Sequence, residues 1–164
     1  MISTKNSTEW DGYPTSHYVA IHMHQNKYYE NAVLKDSNPV KSDQDVIAML
    51  GFYNYTNNIN VTSVLVSRQG TFALRVKNGN QVNDAINALD PDGISQTSSP
   101  ELDKFVNEYD NNVQNLFEAG DEAGALAGFI KLINTYQING QTLGISIFQA
   151  VFDSQGNITN WIKL

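Results

Sequence analysis

The first periodic stretch of the chain, residues 17–24, alternates between two faces in the manner of a β-strand. Its apolar face, which we expect to meet the core, is formed by Val19, Ile21 and Met23. His22 and His24 share the opposite face, which we expect to point outward or into a groove. Residues 27–34 are rich in aromatic and apolar side chains and predict a returning strand, which completes a first hairpin.

Two further hairpins are predicted downstream. Residues 61–66 form a β-branched run typical of a buried strand, and residues 72–77 alternate between apolar and polar positions after a turn. Near the end of the chain, residues 143–152 and 158–164 predict two strands around a polar loop. We expect the apolar last strand to pair inside a sheet.

Helical signals lie between the hairpins. Ser42 and Asp45 resemble a capping box in front of a first helix, and Asn80 is the expected cap of a short second helix. A strong amphipathic pattern then begins, with Ser99 or Ser98 as its cap and Pro100 in its first turn. Its apolar positions are Leu102, Phe105, Val106, Tyr109, Val113, Leu116 and Phe117.

A last helix is predicted after Gly120, restarted by Asp121. Gly124 and Gly128 leave one side of this helix bare, and each costs roughly 0.5–1 kcal/mol of helix stability relative to alanine. Close approach of another backbone would explain both glycines.

The predicted order of elements is therefore ββ-α-ββ-α-αα-ββ. It indicates an α+β fold with an antiparallel sheet of about six strands and helices packed on one face. Residues 1–15 lack periodicity and are expected to form an irregular arm, while residues 16–164 are expected to form a single α+β domain.

Composition narrows the classes of function. The 164-residue chain contains no cysteine, which excludes disulfides, thiolate metal sites and thiol nucleophiles. Its start lacks the apolar region of a signal peptide, and no run approaches the ~20 apolar residues of a membrane span. We therefore expect a soluble, cytoplasmic protein, with the mature form of a secreted protein as the alternative. A net charge of −7 argues against nucleic acid as a direct ligand.

Most of this charge lies between Glu101 and Glu122, where seven acidic residues accompany a single basic one, Lys104. Acids near helix starts are expected on electrostatic grounds alone, which accounts for over half of them. The remaining interpretation is a docking surface for a protein partner with a basic surface. Its predicted contact residues are Asp103, Glu108, Asp110 and Glu118.

This surface favours a non-enzymatic protein-binding or inhibitory accessory protein. High usage of Asn, Tyr and Ile is typical of AT-rich bacteria, their phages and mobile elements. A structural subunit of a homo-oligomer, such as a homodimer formed through an exposed sheet edge, is a second interpretation.

An enzyme or small-ligand protein is the third interpretation. Residues two apart on a strand point the same way, so His22 and His24 offer two imidazoles to a metal ion, although no third ligand can be placed. Two surface imidazoles without a metal explain the same pattern. Neighbouring tyrosines, which would line a pocket between sheet and helices, are Tyr18, Tyr28 and Tyr29. Phosphate-binding loops and nucleophile elbows are absent, so no catalytic residue and no cofactor is predicted.

Overall fold

The computed structural model describes residues 19–24, 27–91 and 99–164. The predicted arm, residues 1–15, and Tyr18 lie outside these ranges. The described strands are β1 Val19–Met23, β2 Lys27–Glu30, β3 Val33–Asp36, β4 Thr62–Ser67, β5 Gly70–Val76, β6 Gln137–Ile138, β7 Gln141–Thr142, β8 Ile145–Phe152 and β9 Ile158–Lys163. The described α-helices are α1 Asp43–Thr56, α2 Gly79–Leu89, α3 Pro100–Tyr109, α4 Asn115–Glu118 and α5 Glu122–Thr135.

The fold belongs to the predicted α+β class, but its main sheet is mixed and has five strands in the order β1-β4-β5-β8-β9. The prediction of an antiparallel sheet of about six strands is therefore wrong in detail. β1 pairs with β4 in parallel, whereas the remaining neighbours in this sheet are antiparallel.

The first predicted hairpin does not form. Asn31 and Ala32 adopt positive φ angles of 50° and 63°, which is the backbone of a two-residue hairpin turn. This turn folds the segment predicted as one strand back on itself, so that β2 pairs with β3 in a separate two-stranded sheet. β1 is thereby left to find a partner farther along the chain.

The other two predicted hairpins are confirmed. β4 and β5 pair from Thr62 with Arg75 to Ser67 with Gly70. β8 pairs with β9, with an irregular register at Val151 and Phe152. β9 forms one edge of the sheet and is exposed along its whole length.

The described helices cover a single face of the main sheet, and this is the face opposite to the one expected from β1. The core unites apolar residues of α1, α2, α3 and α5 with Leu74 and Ile147 of the sheet. Val19, Ile21 and Met23 are 47%, 67% and 68% exposed. Alternation divides a strand into two faces but does not identify the covered one, so the assignment of the β1 faces was inverted.

The predicted helix starts are confirmed for three helices. Ser42 and Asp45 form a complete capping box on α1, Ser99 accepts the Leu102 N–H in front of α3, and Asp121 caps α5. The second helix begins two residues earlier than expected. Asn78 rather than Asn80 is its cap, because the Asn78 side chain accepts hydrogen bonds from the first backbone N–H groups of the helix. Within the described residues, none of the helices combines the length and apolarity required to cross a membrane.

A π-helical segment, Asp110–Gln114, joins α3 to α4. The apolar periodicity did not predict it, although its pattern correctly identified Phe105, Tyr109 and Val113 as buried. A Cβ atom added to Gly128 of α5 would lie 1.9 Å from the carbonyl oxygen of Asn112, so α5 packs directly on the π-helical backbone. A Cβ at Gly124 would instead meet the capping carboxylate of Asp121, and backbone packing explains only Gly128.

Candidate metal centre

The covered face of β1 meets the first turn of α1 at a cluster of polar side chains. His22 of β1 and His24, which directly follows β1, point toward α1, and Asp45 projects from the third helical position of α1. We call these three residues the imidazole–carboxylate cluster. All three are partly buried, and the side chains of His22, His24 and Asp45 are 28%, 9% and 18% exposed.

The cluster is compact. His22 Nδ1 lies 3.0 Å from Asp45 Oδ1, and His24 Nε2 lies 3.7 Å from Asp45 Oδ2. The two imidazole rings stand edge to face, with centroids 4.5 Å apart and planes at 67°. One ligand atom from each residue can be chosen so that all of them fall within 4.8 Å of one another.

Hydrogen bonding determines which nitrogen of His24 carries a proton. His24 Nδ1 lies 2.6 Å from the backbone carbonyl oxygen of Asn38, and a carbonyl oxygen only accepts hydrogen bonds. Nδ1 is therefore the donor, and in the neutral ring Nε2 holds a lone pair that faces Asp45 Oδ2. A proton or a metal cation between these two acceptors, which lie 3.7 Å apart, would stabilise their arrangement.

His22 meets Asp45 through its other ring nitrogen. Its Nδ1 donates to Asp45 Oδ1, because an ionised carboxylate only accepts. Its Nε2 is buried and has no hydrogen-bond partner among the described residues. A proton on His24 would satisfy the pair formed by His24 and Asp45 but would leave His22 Nε2 unsatisfied. A metal ion among the three side chains could bind one nitrogen of each ring.

Asp45 remains ionised within this cluster. Burial alone would raise its pKa, but the hydrogen bond from His22, the neighbouring His24 ring and the nearby charge of Lys41 outweigh burial and hold the pKa well below its usual range. Asp45 Oδ2 also accepts the backbone N–H of Ser42 at 2.8 Å. The cluster thus contains a fixed negative charge beside two imidazole lone pairs.

Lys41 is the buried counter-charge of Asp45. Its side chain is 1% exposed and donates to Ser63 Oγ at 2.9 Å. Burial lowers the pKa of Lys41 to about 8, and the charge of Asp45 partly opposes this decrease. A lysine paired with a serine is also the arrangement of a nucleophile and its base, but burial of both side chains closes them to a substrate.

Further polar groups surround the cluster on the α3 side. Burial, together with the charges of Asp110 and Asp45, raises the pKa of Asp43 against the opposing effect of backbone hydrogen bonds. Burial and the charges of Asp43, Asp45 and Asp110 likewise raise the pKa of Tyr109. Nearby acids therefore make this region electrostatically favourable for a cation.

The donor set suits a first-row transition metal. Two imidazole nitrogens and one carboxylate oxygen are ligands of zinc and of related divalent ions. Ligands at 2.0–2.1 Å from one tetrahedral ion stand about 3.3 Å apart, so a metal would draw donor atoms that now lie within 4.8 Å of one another together by up to about 1.5 Å. Three protein ligands would leave a coordination position for water or a substrate, as in catalytic zinc sites.

The sequence identified two of the three residues in the cluster. His22 and His24 were predicted as metal ligands on a face that points outward or into a groove. They lie on the covered face of the sheet, where they meet Asp45. Asp45 was missed as a ligand because its place in the capping box already explained it. Lys41 carried no signal, since a lone lysine in front of a helix is ordinary.

The tyrosines predicted to line a pocket lie elsewhere or outside the described residues. Tyr28 and Tyr29 belong to β2, in the separate two-stranded sheet, and Tyr29 is 65% exposed. Tyr18 falls outside the described ranges. Their role in a ligand pocket stays a prediction.

The acids predicted to bind a partner lie on or beside the helices that follow Ser99. Glu108 accepts from the Asn112 side chain at 3.0 Å, and Glu118 accepts from Gln114 at 2.8 Å. Asp103 belongs to α3, whereas Asp110 begins the π-helical segment and influences Asp43 of α1. Recognition of a basic partner by these acids stays a prediction.

Comparison with known proteins gives no relative from which a function could be transferred: no protein-family model, curated protein or solved structure matches this chain.

Proposed function

We propose that this protein binds one divalent transition-metal ion of the zinc type through the imidazole–carboxylate cluster, with His22, His24 and Asp45 as ligands. The observation that carries the proposal is that one nitrogen of each imidazole and one oxygen of an ionised carboxylate lie within 4.8 Å of one another, in a cluster where His22 Nε2 is buried without a hydrogen-bond partner among the described residues. Buried polar atoms without partners are rare in native proteins, and a bound ion is one of their ordinary explanations.

The ligand count favours a metal that takes part in chemistry over one that only supports the fold. Structural zinc sites use four protein ligands, whereas three ligands keep a position open for water. Zinc lowers the pKa of bound water to about 7, so the site would supply a hydroxide at neutral pH. A metal-dependent hydrolase is the class of enzyme that this arrangement supports.

The first experiment measures metal binding by untagged protein that has been stripped of metal. Calorimetric titration with Zn²⁺ is expected to give a one-to-one complex at neutral pH. Titration with Co²⁺ is expected to give visible absorption bands of a site with nitrogen and oxygen ligands. His22→Ala and His24→Ala should each weaken Zn²⁺ binding more than about 100-fold, because loss of a ligand exceeds the 10–100-fold effect of losing an outer hydrogen-bond partner.

Asp45→Asn and Asp121→Asn form a matched pair for the carboxylate. Both acids accept backbone N–H groups at helix starts, but Asp121 caps α5 through Gly124 and lies outside the cluster. Asp45→Asn should weaken Zn²⁺ binding strongly, and Asp121→Asn should leave it unchanged. The proposal is wrong if wild-type protein binds no stoichiometric Zn²⁺ or Co²⁺, or if both histidine variants bind as tightly as wild type.

A further inference from the structure

Asn38 connects the candidate metal centre to the π-helical segment. Its carbonyl oxygen accepts from His24 Nδ1 at 2.6 Å. Its side-chain Nδ2 donates to Tyr109 Oη at 3.3 Å and to Gln114 Oε1 at 3.2 Å. Its Oδ1 accepts the backbone N–H of Val40 at 3.1 Å. Hydrogen bonds thus fix both the nitrogen and the oxygen of the Asn38 side-chain amide, while the backbone carbonyl of the same residue accepts from the His24 imidazole.

The π-helical segment explains how Tyr109 and Gln114 both reach Asn38. In an α-helix, residues five apart are rotated by about 140° around the axis and face different directions. A π turn closes hydrogen bonds between residues five apart, which brings such a pair to the same side. At the end of this segment, the backbone N–H of Asn115 accordingly donates to the carbonyl oxygen of Asp110, five residues earlier.

We infer that Asn38 is a positioning residue for His24 and that the π-helical segment exists at this place to hold it. Asn38 keeps the proton of His24 on Nδ1 and thereby directs the Nε2 lone pair toward Asp45. This inference rests on the proposed metal-binding function, in which Nε2 of His24 is a metal ligand. Outer hydrogen bonds of this kind determine the tautomer and orientation of metal-binding histidines.

The arrangement limits the freedom of His24 before any metal arrives. A histidine with a free Nδ1 divides its population between two tautomers and several ring orientations, of which one presents Nε2 to the ion. With the Asn38 carbonyl in place, the competent tautomer is preselected. We therefore expect loss of the Asn38 side chain to act on the imidazole first and on metal affinity as a consequence.

The test measures the imidazole tautomer and metal affinity separately. Long-range ¹H–¹⁵N spectra of the metal-free protein report which ring nitrogen carries the proton. His24 of wild type is expected to be protonated at Nδ1. Asn38→Ala should produce a mixture of tautomers and weaken Zn²⁺ binding by about 10–100-fold. The double variant Tyr109→Phe/Gln114→Ala should move both measurements in the same direction, although neither residue belongs to the ligand set.

Glu118→Ala is the matched control, because it removes the other hydrogen-bond partner of Gln114 and leaves the contact with Asn38 in place. It should alter neither the tautomer nor the affinity. A wild-type tautomer and affinity in Asn38→Ala would overturn the inference, as would equal losses in Glu118→Ala. Because the tautomer is measured without metal, failure of wild type to bind Zn²⁺ is recognised separately as failure of the proposed function.

Discussion

Asp45 on one side, and Glu108 and Glu118 on the other, lie in environments with opposite properties. Asp45 is a single carboxylate in the imidazole–carboxylate cluster, partly buried and in contact with residues far from it in sequence. The stretch from Glu101 to Glu122 holds seven acids, and the partners of Glu108 and Glu118 lie four residues away on the same run of helix. We call this stretch the acidic segment.

The difference shows that charge density in a sequence is a poor guide to a site. The acidic segment dominates the net charge, yet the contacts of Glu108 and Glu118 are local and exposed to solvent. Asp45 adds one charge and organises two imidazoles, a lysine and a helix start. Burial and long-range contact determine what a carboxylate does, because low effective permittivity strengthens each interaction.

The largest effect is expected from comparing Asp45→Ala with Glu108→Ala. Asp45→Ala removes a partly buried carboxylate from its imidazole and lysine partners and should lower the free energy of unfolding by about 3 kcal/mol at neutral pH. Glu108→Ala should cost about 0.5 kcal/mol or less, as exposed pairs usually do. Urea denaturation of both variants measures the contrast, and equal costs would abolish the distinction between the two environments.

The contribution of Asp45 should also depend on pH. Its pKa in the folded protein lies below the ordinary value of 3.8, so its stabilisation is present above that value and is lost as the pH falls through the folded pKa. The difference in stability between wild type and Asp45→Ala should therefore shrink progressively below pH 3.8. A difference that stays constant down to strongly acidic pH would contradict the assigned charge state.

Lys41 extends the comparison between buried and exposed charges to basic residues. Its folded pKa of about 8 lies below the ordinary 10.5, so between these values the unfolded chain retains a proton that the folded protein releases. Stability should rise with pH across this window by up to about 3 kcal/mol, and Lys41→Met should abolish the rise. Urea unfolding at pH 7.5, 9 and 10.5 provides the measurement. Lys104→Met, which removes an exposed lysine bound to Glu101, is the control and should retain the rise.

A smaller effect is expected from Gly128, where α5 meets the backbone that follows the acidic residues of α3. Gly128→Ala would drive a Cβ into the Asn112 carbonyl and should cost about 2 kcal/mol. In Gly124→Ala the added Cβ meets only the movable carboxylate of Asp121. The higher helix propensity of alanine offsets the loss of this cap, so the free energy of unfolding should change by less than about 1 kcal/mol. Thermal unfolding distinguishes them. If Gly124→Ala costs more than Gly128→Ala, the close packing assigned to Gly128 is wrong.

The sequence predicted those parts of the fold that depend on local contacts. The capping box of Ser42 and Asp45, the cap at Ser99 and the hairpin of β4 and β5 involve neighbouring residues and appear as expected. The covered face of β1 and its parallel pairing with β4 depend on residues about 40 positions away, which periodicity does not encode.

The candidate metal centre could be predicted only in part, because one of its residues comes from a distant part of the chain. His22 and His24 are two apart on one strand, so their common direction follows from strand geometry. Asp45 reaches them through the packing of α1 on β1, and its capping role concealed any second role in the sequence. The π-helical segment was invisible because a single wide turn leaves the apolar spacing from Phe105 to Val113 intact.

Parallel pairing of β1 has a consequence for the order of folding. The strand contributes two of the three proposed ligands, and it joins β4 only across the chain that forms β2, β3 and α1. Contacts between such distant segments carry a large loop-closure cost and form slowly, so we expect β1 to dock late. A cation bound between β1 and α1 would stabilise the docked strand by mass action. Removal of the metal by a chelator would then release the edge strand β1, while the antiparallel strands of the sheet stayed paired. The metal would therefore hold in place the strand that we expect to dock late.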